Sequence, residues 1–77
     1  MKTIVKLFGQ IVEIVGADSI PVDDAANTDE LIEKIQLQYP ALANLKYRVA
    51  VNRNIIQSNT ALQQETEVAL LPPFSGG

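Results

Sequence analysis

Val68-Ala69-Leu70-Leu71-Pro72-Pro73-Phe74-Ser75-Gly76-Gly77 is the stretch whose reading decides the fold. In an extended chain successive side chains point to opposite faces, so Val68 and Leu70 fall on one side and Ala69 and Leu71 on the other. Both sides are apolar, which predicts a strand inside a sheet. Pro72 and Pro73 end the ladder, because neither has an N–H to donate and each ring locks φ. Beyond them stand one apolar side chain, Phe74, then Ser75 and two glycines that carry no Cβ. The expectation is a buried strand that delivers its own terminus, at Gly77, to solvent. Such an end is a device for presenting a carboxylate.

The chemistry open to that group is narrow. A carboxylate at neutral pH is a poor electrophile and needs a good leaving group, typically an adenylate made by a partner. The partner's channel must close around the tail and exclude water. Gly76 and Gly77 let backbone approach backbone or nucleotide closely, with φ values closed to other residues. An extended tail from Pro72 reaches about 20 Å, at ~3.3–3.6 Å per residue, far enough to thread into a neighbouring protein. The chain therefore divides into a folded domain, residues 1–71, and a protruding C-terminal tail, residues 72–77.

Composition argues against a self-contained catalytic centre. A chain of 77 residues makes one domain with a small core. Its 47% hydrophobic and 19% charged content is that of a globular protein. There is no cysteine, hence no disulfide and no thiolate site, and no histidine, the usual general base and commonest metal ligand. No metal site and no bound cofactor are expected. Lys6, Gln10 and Glu13 interrupt the N-terminal apolar stretch before a signal-peptide core can form. No run approaches the ~20 apolar residues of a membrane span. A soluble cytoplasmic protein without membrane contact follows. Net charge is −3, and seven of the nine acidic residues lie between Glu13 and Glu33. The cations Lys2, Lys6, Lys34, Lys46, Arg48 and Arg53 are too scattered for a phosphate-tracking stripe, which argues against nucleic acid. The acidic flank is either a solvated face or a means of steering toward a basic protein surface.

Outward from the closing strand, Lys2 to Phe8 alternates, with Thr3, Val5 and Leu7 on one face and Ile4, Lys6 and Phe8 on the other. Gly9-Gln10 breaks that strand. Ile11 to Val15 is ambiguous: β-branched propensity says strand, whereas Ile11, Ile14 and Val15 also mark one face of a helical turn. After Gly16 a short strand fits Asp18 to Val22. Asn27 and Glu30 have capping-box form at the start of a helix, with Thr28 an equal alternative as cap. Leu31, Ile32, Ile35 and Tyr39 make its apolar stripe, Glu30 and Lys34 are spaced to pair, and Pro40 should end it near Gln38. Tyr47 to Val51 alternates again, with Tyr47, Val49 and Val51 on one side. Asn52-Arg53-Asn54 is a turn in which both asparagines tolerate left-handed dihedrals. Ile55-Ile56 is a short strand, and Ala61 to Glu65 makes a last turn before Val68.

This pattern is an α+β domain: strands, one helix packed across them, then more strands. The helix covers one face of the sheet and leaves the other partly exposed. That open face should carry Phe8 and Leu71, with Ile55 or Ile56 nearby, and exposed apolar groups beside a protruding tail make a docking patch.

These residues resemble a known family. Phe8-Gly9-Gln10, the apolar turn closing at Gly16, Val51-Asn52, and above all Pro72-Pro73-Phe74-Ser75-Gly76-Gly77 are similar to the MoaD-type sulfur carriers, the small subunits of molybdopterin synthases. Those carriers belong to the MoaD/ThiS group of ubiquitin-like β-grasp proteins. The likeness spans the whole chain. It implies a mixed four- to five-stranded sheet on one main helix with a flexible Gly-Gly tail. It also implies two protein partners. An E1-like (MoeB-like) enzyme uses ATP to adenylate the Gly77 carboxylate, which sulfur transfer converts to a thiocarboxylate. A MoaE-like large subunit, in a heterotetramer, takes in the tail Pro72, Pro73, Phe74, Ser75 and Gly76 and passes the sulfur to a pterin precursor for molybdenum cofactor. Phe8, Ile55 and Leu71 map onto the patch that meets both partners. Phe74, bulkier than the usual aliphatic residue, and Val12, where a charge is frequent, depart from the pattern. Two alternatives stand beside this one: a ThiS-like carrier for the thiamin thiazole, a branch that usually is shorter and lacks the double proline, and a protein-conjugating ubiquitin-like modifier.

Overall fold

The computed structural model describes residues 2–72. Strand β1 (Lys2–Leu7) leads into a short helix α1 (Gln10–Val15), strand β2 (Ser19–Asp23) and the main helix α2 (Thr28–Gln38). A 3₁₀ segment over Pro40–Asn44 then connects to β3 (Arg48–Val51), β4 (Asn54–Ile55) and β5 (Val68–Leu71). All five strands form one mixed sheet in the order β2-β1-β5-β3-β4. The closing strand β5 is therefore central, parallel to β1 with Val5 opposite Val68 and antiparallel to β3 with Val51 opposite Val68. The expectation of an interior strand holds. Pro21 is confined to β2, an edge strand, where a missing N–H is tolerated.

Alternation along the strands sorts the sheet into two faces. Val5, Leu7, Ile20, Val22, Val68 and Leu70 turn inward to meet Leu31 and Ile35 of α2, with Ile11, Leu42 and Leu62 completing the core. Ile11, Leu31, Ile35, Leu42, Leu70, Val5 and Val68 are almost wholly removed from water. Each such side chain contributes about 1.5–3 kcal/mol of transfer free energy.

Helix α2 starts as its sequence predicts. Asn27 is extended, and its side-chain oxygen accepts from the Glu30 N–H at 2.9 Å. The Glu30 carboxylate reaches back to the N–H of Ala26 at 3.1 Å. Thr28 is the first helical residue, and its hydroxyl accepts from the N–H of Thr60 at 2.9 Å, fastening the later loop to the helix. The expected Glu30–Lys34 pair does not form. Lys34 instead donates to the carbonyl oxygens of Asp23 and Asp24 at 2.8 and 3.2 Å, two acceptors fixed by the turn after β2. An exposed carboxylate–ammonium pair is worth little and loses to such a fixed site.

The ambiguous Ile11–Val15 segment is helical. Burial of Ile11, 1% exposed, outweighs strand propensity, and Gly16 in the left-handed region closes the turn with an N–H bond to the Val12 carbonyl at 2.7 Å. The face that packs on the core is Ile11, Val12 and Val15; Ile14, expected on it, is 40% exposed.

Candidate functional site

Register across the open face builds the site. Lys6 lies beside Ala69, Ala69 beside Ala50, and Ala50 beside Ile55, a row that crosses β1, β5, β3 and β4. The two alanines in the middle are too small to fill the row, so larger side chains around them enclose an open hollow of about 390 Å³. Phe8, Ile55 and Leu71 supply its apolar walls; Lys6, Arg53 and Glu67 supply its polar edge. Phe8 is 45% exposed and Ile55 46%, and Leu71 is half-buried. The three residues expected on one patch are thus brought together. Ile56, the alternative to Ile55, lines a separate hollow of about 280 Å³ between α2 and the β3–β4 edge.

The turn after β3 fixes one wall. Asn52 and Arg53 have φ of 51° and 70°, the left-handed pair of a tight hairpin turn, so Arg53 rather than Asn54 takes the second strained position. Asn52 also clamps this turn to the residue before β5: its N–H donates to the Glu67 carbonyl at 2.8 Å, and its side-chain oxygen accepts from the Glu67 N–H at 3.0 Å. Asn54 donates to the Asn52 carbonyl at 3.1 Å. The clamp holds Ile55 against the strand that carries Leu71. In the sequence Asn52 reads as a turn former and as part of the Val51-Asn52 motif; an asparagine in a two-residue hairpin loop is the signal for the clamp.

Gly9 fixes the other wall and the exit of the chain. Its φ is +62°, and a Cβ built there would lie 2.5 Å from Cγ of Pro72. Only glycine lets the end of β1 pass so close to the first residue beyond β5. Gly9, in the sequence a strand breaker and part of the Phe8-Gly9-Gln10 motif, is therefore the seat of Pro72. Pro73, Phe74, Ser75, Gly76 and Gly77 lie outside the described residues.

Among the described residues no three acidic, histidine or cysteine side chains stand together as metal ligands. Among the same residues no helix is long and apolar enough to cross a membrane. What the site offers is a partly exposed apolar surface, a cationic edge, and a strand that ends beside both.

Comparison with known proteins places the chain. Residues 5–77 match the ThiS family. The molybdopterin synthase sulfur carrier subunit of Dictyostelium discoideum is 32% identical over 92% of this chain and 91% of its own length. Among solved structures, SAMP1 from Haloferax volcanii superposes with a TM-score of 0.82 at 24% identity, covering both chains completely. A subunit from the Helicobacter pylori complex of subunits 1 and 2 of molybdopterin-converting factor gives 0.74 at 28% identity, again over the whole of both chains. The fold is the ubiquitin-like β-grasp, and the chain belongs to the ThiS family.

Proposed function

We propose that this chain is the sulfur-carrier subunit of a molybdopterin synthase. The observation that carries the reading is the apolar hollow of Phe8, Ile55 and Leu71 at the point where β5 gives way to Pro72. A partner seated on that hollow is positioned to receive whatever follows Pro72. Support comes also from the Dictyostelium relative, named a molybdopterin synthase sulfur carrier subunit, and from the H. pylori structure, described as a complex of subunits 1 and 2.

In this proposal the chain binds no cofactor or metal. An E1-like enzyme supplies the ATP chemistry: an oxygen of the Gly77 carboxylate attacks the α-phosphorus, and pyrophosphate leaves. Hydrosulfide released by a sulfur donor then attacks the acyl carbon, AMP leaves with the electrons of the carbon–oxygen bond, and loss of the S–H proton leaves Gly77 as a thiocarboxylate. The large synthase subunit docks on the same hollow, forms a heterotetramer with the carrier, and draws Pro72–Gly77 toward the pterin precursor. Gly76 and Gly77 serve by having no side chain where the channel admits only backbone.

The test is intact mass of the chain co-expressed with the E1-like enzyme and the large subunit. The expected result is a species ending at Gly77 with one oxygen replaced by sulfur, which reverts to carboxylate when precursor is added. A chain that stays a carboxylate, or is recovered joined to lysines of other proteins, contradicts the proposal.

A further inference from the structure

The charges of this small protein are segregated by face, and the segregation opposes the net sign. Outward positions of the strands and the β3–β4 turn carry four of the six cations, Lys2, Lys6, Arg48 and Arg53, with only two carboxylates, Asp23 and Glu67. The rest of the chain holds two cations and seven carboxylates, so a molecule of net charge −3 presents a positive sheet face. Around the hollow the imbalance is sharper. Arg48 stands opposite Leu71 across the β3–β5 ladder, and Lys6 and Arg53 line the hollow itself. Among the described residues Glu67 is the one carboxylate lining it and is divided between two cations, 3.8 Å from the Lys6 ammonium and 3.5 Å from the Arg53 guanidinium. Arg53 is 89% exposed in its side chain, and Lys6 57%, so these long contacts satisfy little of either. The acidic residues between Glu13 and Glu33 sit mainly on α1, the loop after it and α2, away from this face.

We infer that the partner segment taken up by this hollow is an apolar side chain flanked by carboxylates, which meet Lys6, Arg48 and Arg53. This rests on the docking role proposed above and specifies its chemistry. The match works first on encounter: a positive face on an otherwise negative molecule orients the approach, so that the hollow and the Pro72 exit arrive together. The acidic side is then repelled by the same partner and keeps the wrong face from docking.

The experiment is stopped-flow association of the full chain with the isolated large synthase subunit at low and at physiological salt. Lys6→Glu/Arg53→Glu should slow association about tenfold at low salt and flatten its salt dependence. Arg53→Gln should give part of that loss, and far-ultraviolet circular dichroism checks that each variant is folded. Glu13→Lys/Glu33→Lys, on the helical side, should leave the rate unchanged or raise it. Leu71→Glu separates the two readings. If Leu71→Glu blocks binding while the Lys6/Arg53 reversal leaves the rate intact, docking stands and the carboxylate match is overturned. If the Glu13/Glu33 reversal slows association instead, the charge orientation is opposite to that inferred. If Leu71→Glu binds normally, the docking face and the inference built on it both fall.

Discussion

Leu70 and Leu71 are adjacent, chemically identical and on the same strand, yet they belong to different parts of the protein's work. Leu70 is wholly buried beneath α2; Leu71 is half-buried on the wall of the open hollow. A step of one residue flips a side chain from one face of a sheet to the other, and here that flip separates a core residue from one on the open face, where the proposal places a partner. A central strand with apolar residues on both faces is normally covered on both. Among the described residues one face of this sheet is covered by α2, and the other leaves Phe8, Ile55 and Leu71 partly open, the face on which the proposed partner would dock.

The sharpest way to break that comparison is to injure each leucine in turn. Leu70→Ala should cost about 2–5 kcal/mol, a large share of the stability of so small a domain, and should lower the urea midpoint accordingly. Leu71→Glu should move the midpoint little and remove most of the affinity for the large subunit. Equal stability losses at the two positions would mean that both faces are core.

The paired glycines Gly9 and Gly16 give a subtler contrast. Both have positive φ, but a Cβ on Gly9 collides with Pro72 while one on Gly16 meets nothing within 4 Å. Gly9→Ala should cost about 1–3 kcal/mol and also slow charging of the terminus, because Pro72 must move. Gly16→Ala should cost about 1 kcal/mol, by backbone strain alone, and leave charging per folded molecule unaltered. The measurements are urea melts and the rate of ATP–pyrophosphate exchange with the E1-like enzyme. Equal charging rates for the two variants would remove Gly9 from any role in aiming the chain.

The smallest effect is expected on the helical side, at Leu37. It is 76% exposed on α2, so an apolar residue there is not by itself an interface. Leu37→Ser should stay within about 0.5 kcal/mol of wild type and leave the affinity for the large subunit unchanged. A loss of affinity would place a contact on the face assigned to solvent.

Much of this arrangement was legible in the residues. Alternation in Lys2–Phe8 and Val68–Leu71 sorts both strands correctly; Asn27 and Glu30 give one of the two starts open for α2, the one the structure takes, and Pro40 marks its end near Gln38. Phe8, just past β1, and Leu71 in β5 converge on the face that alternation gives them, where Ile55 rather than Ile56 joins them. What sequence could not show depends on partners distant in the chain. Burial of Ile11 decides α1 against its propensity. The carbonyls of Asp23 and Asp24 draw Lys34 away from Glu30. Gly9 meets Pro72 only because β1 and β5 run parallel side by side. The acidic run between Glu13 and Glu33 reads in the sequence as either a solvated face or a means of steering; it lies mainly away from the hollow, whose edge carries Lys6 and Arg53, because charge along a sequence says nothing of which side of a sheet it reaches.

The central claim is that the folded domain exists to position a reactive end at Gly77, and length is its most direct test. Deleting Gly77, or adding one alanine after it, moves the terminal carboxylate by about 3.5 Å, whereas ~1 Å of misplacement already costs about a hundredfold in a reacting geometry. The measurement is ATP–pyrophosphate exchange with the E1-like enzyme, set beside a urea melt of each chain. The account predicts unchanged melts and exchange reduced to background for both variants. Exchange at the wild-type rate in either one would contradict it, because the reactive end would then not be Gly77.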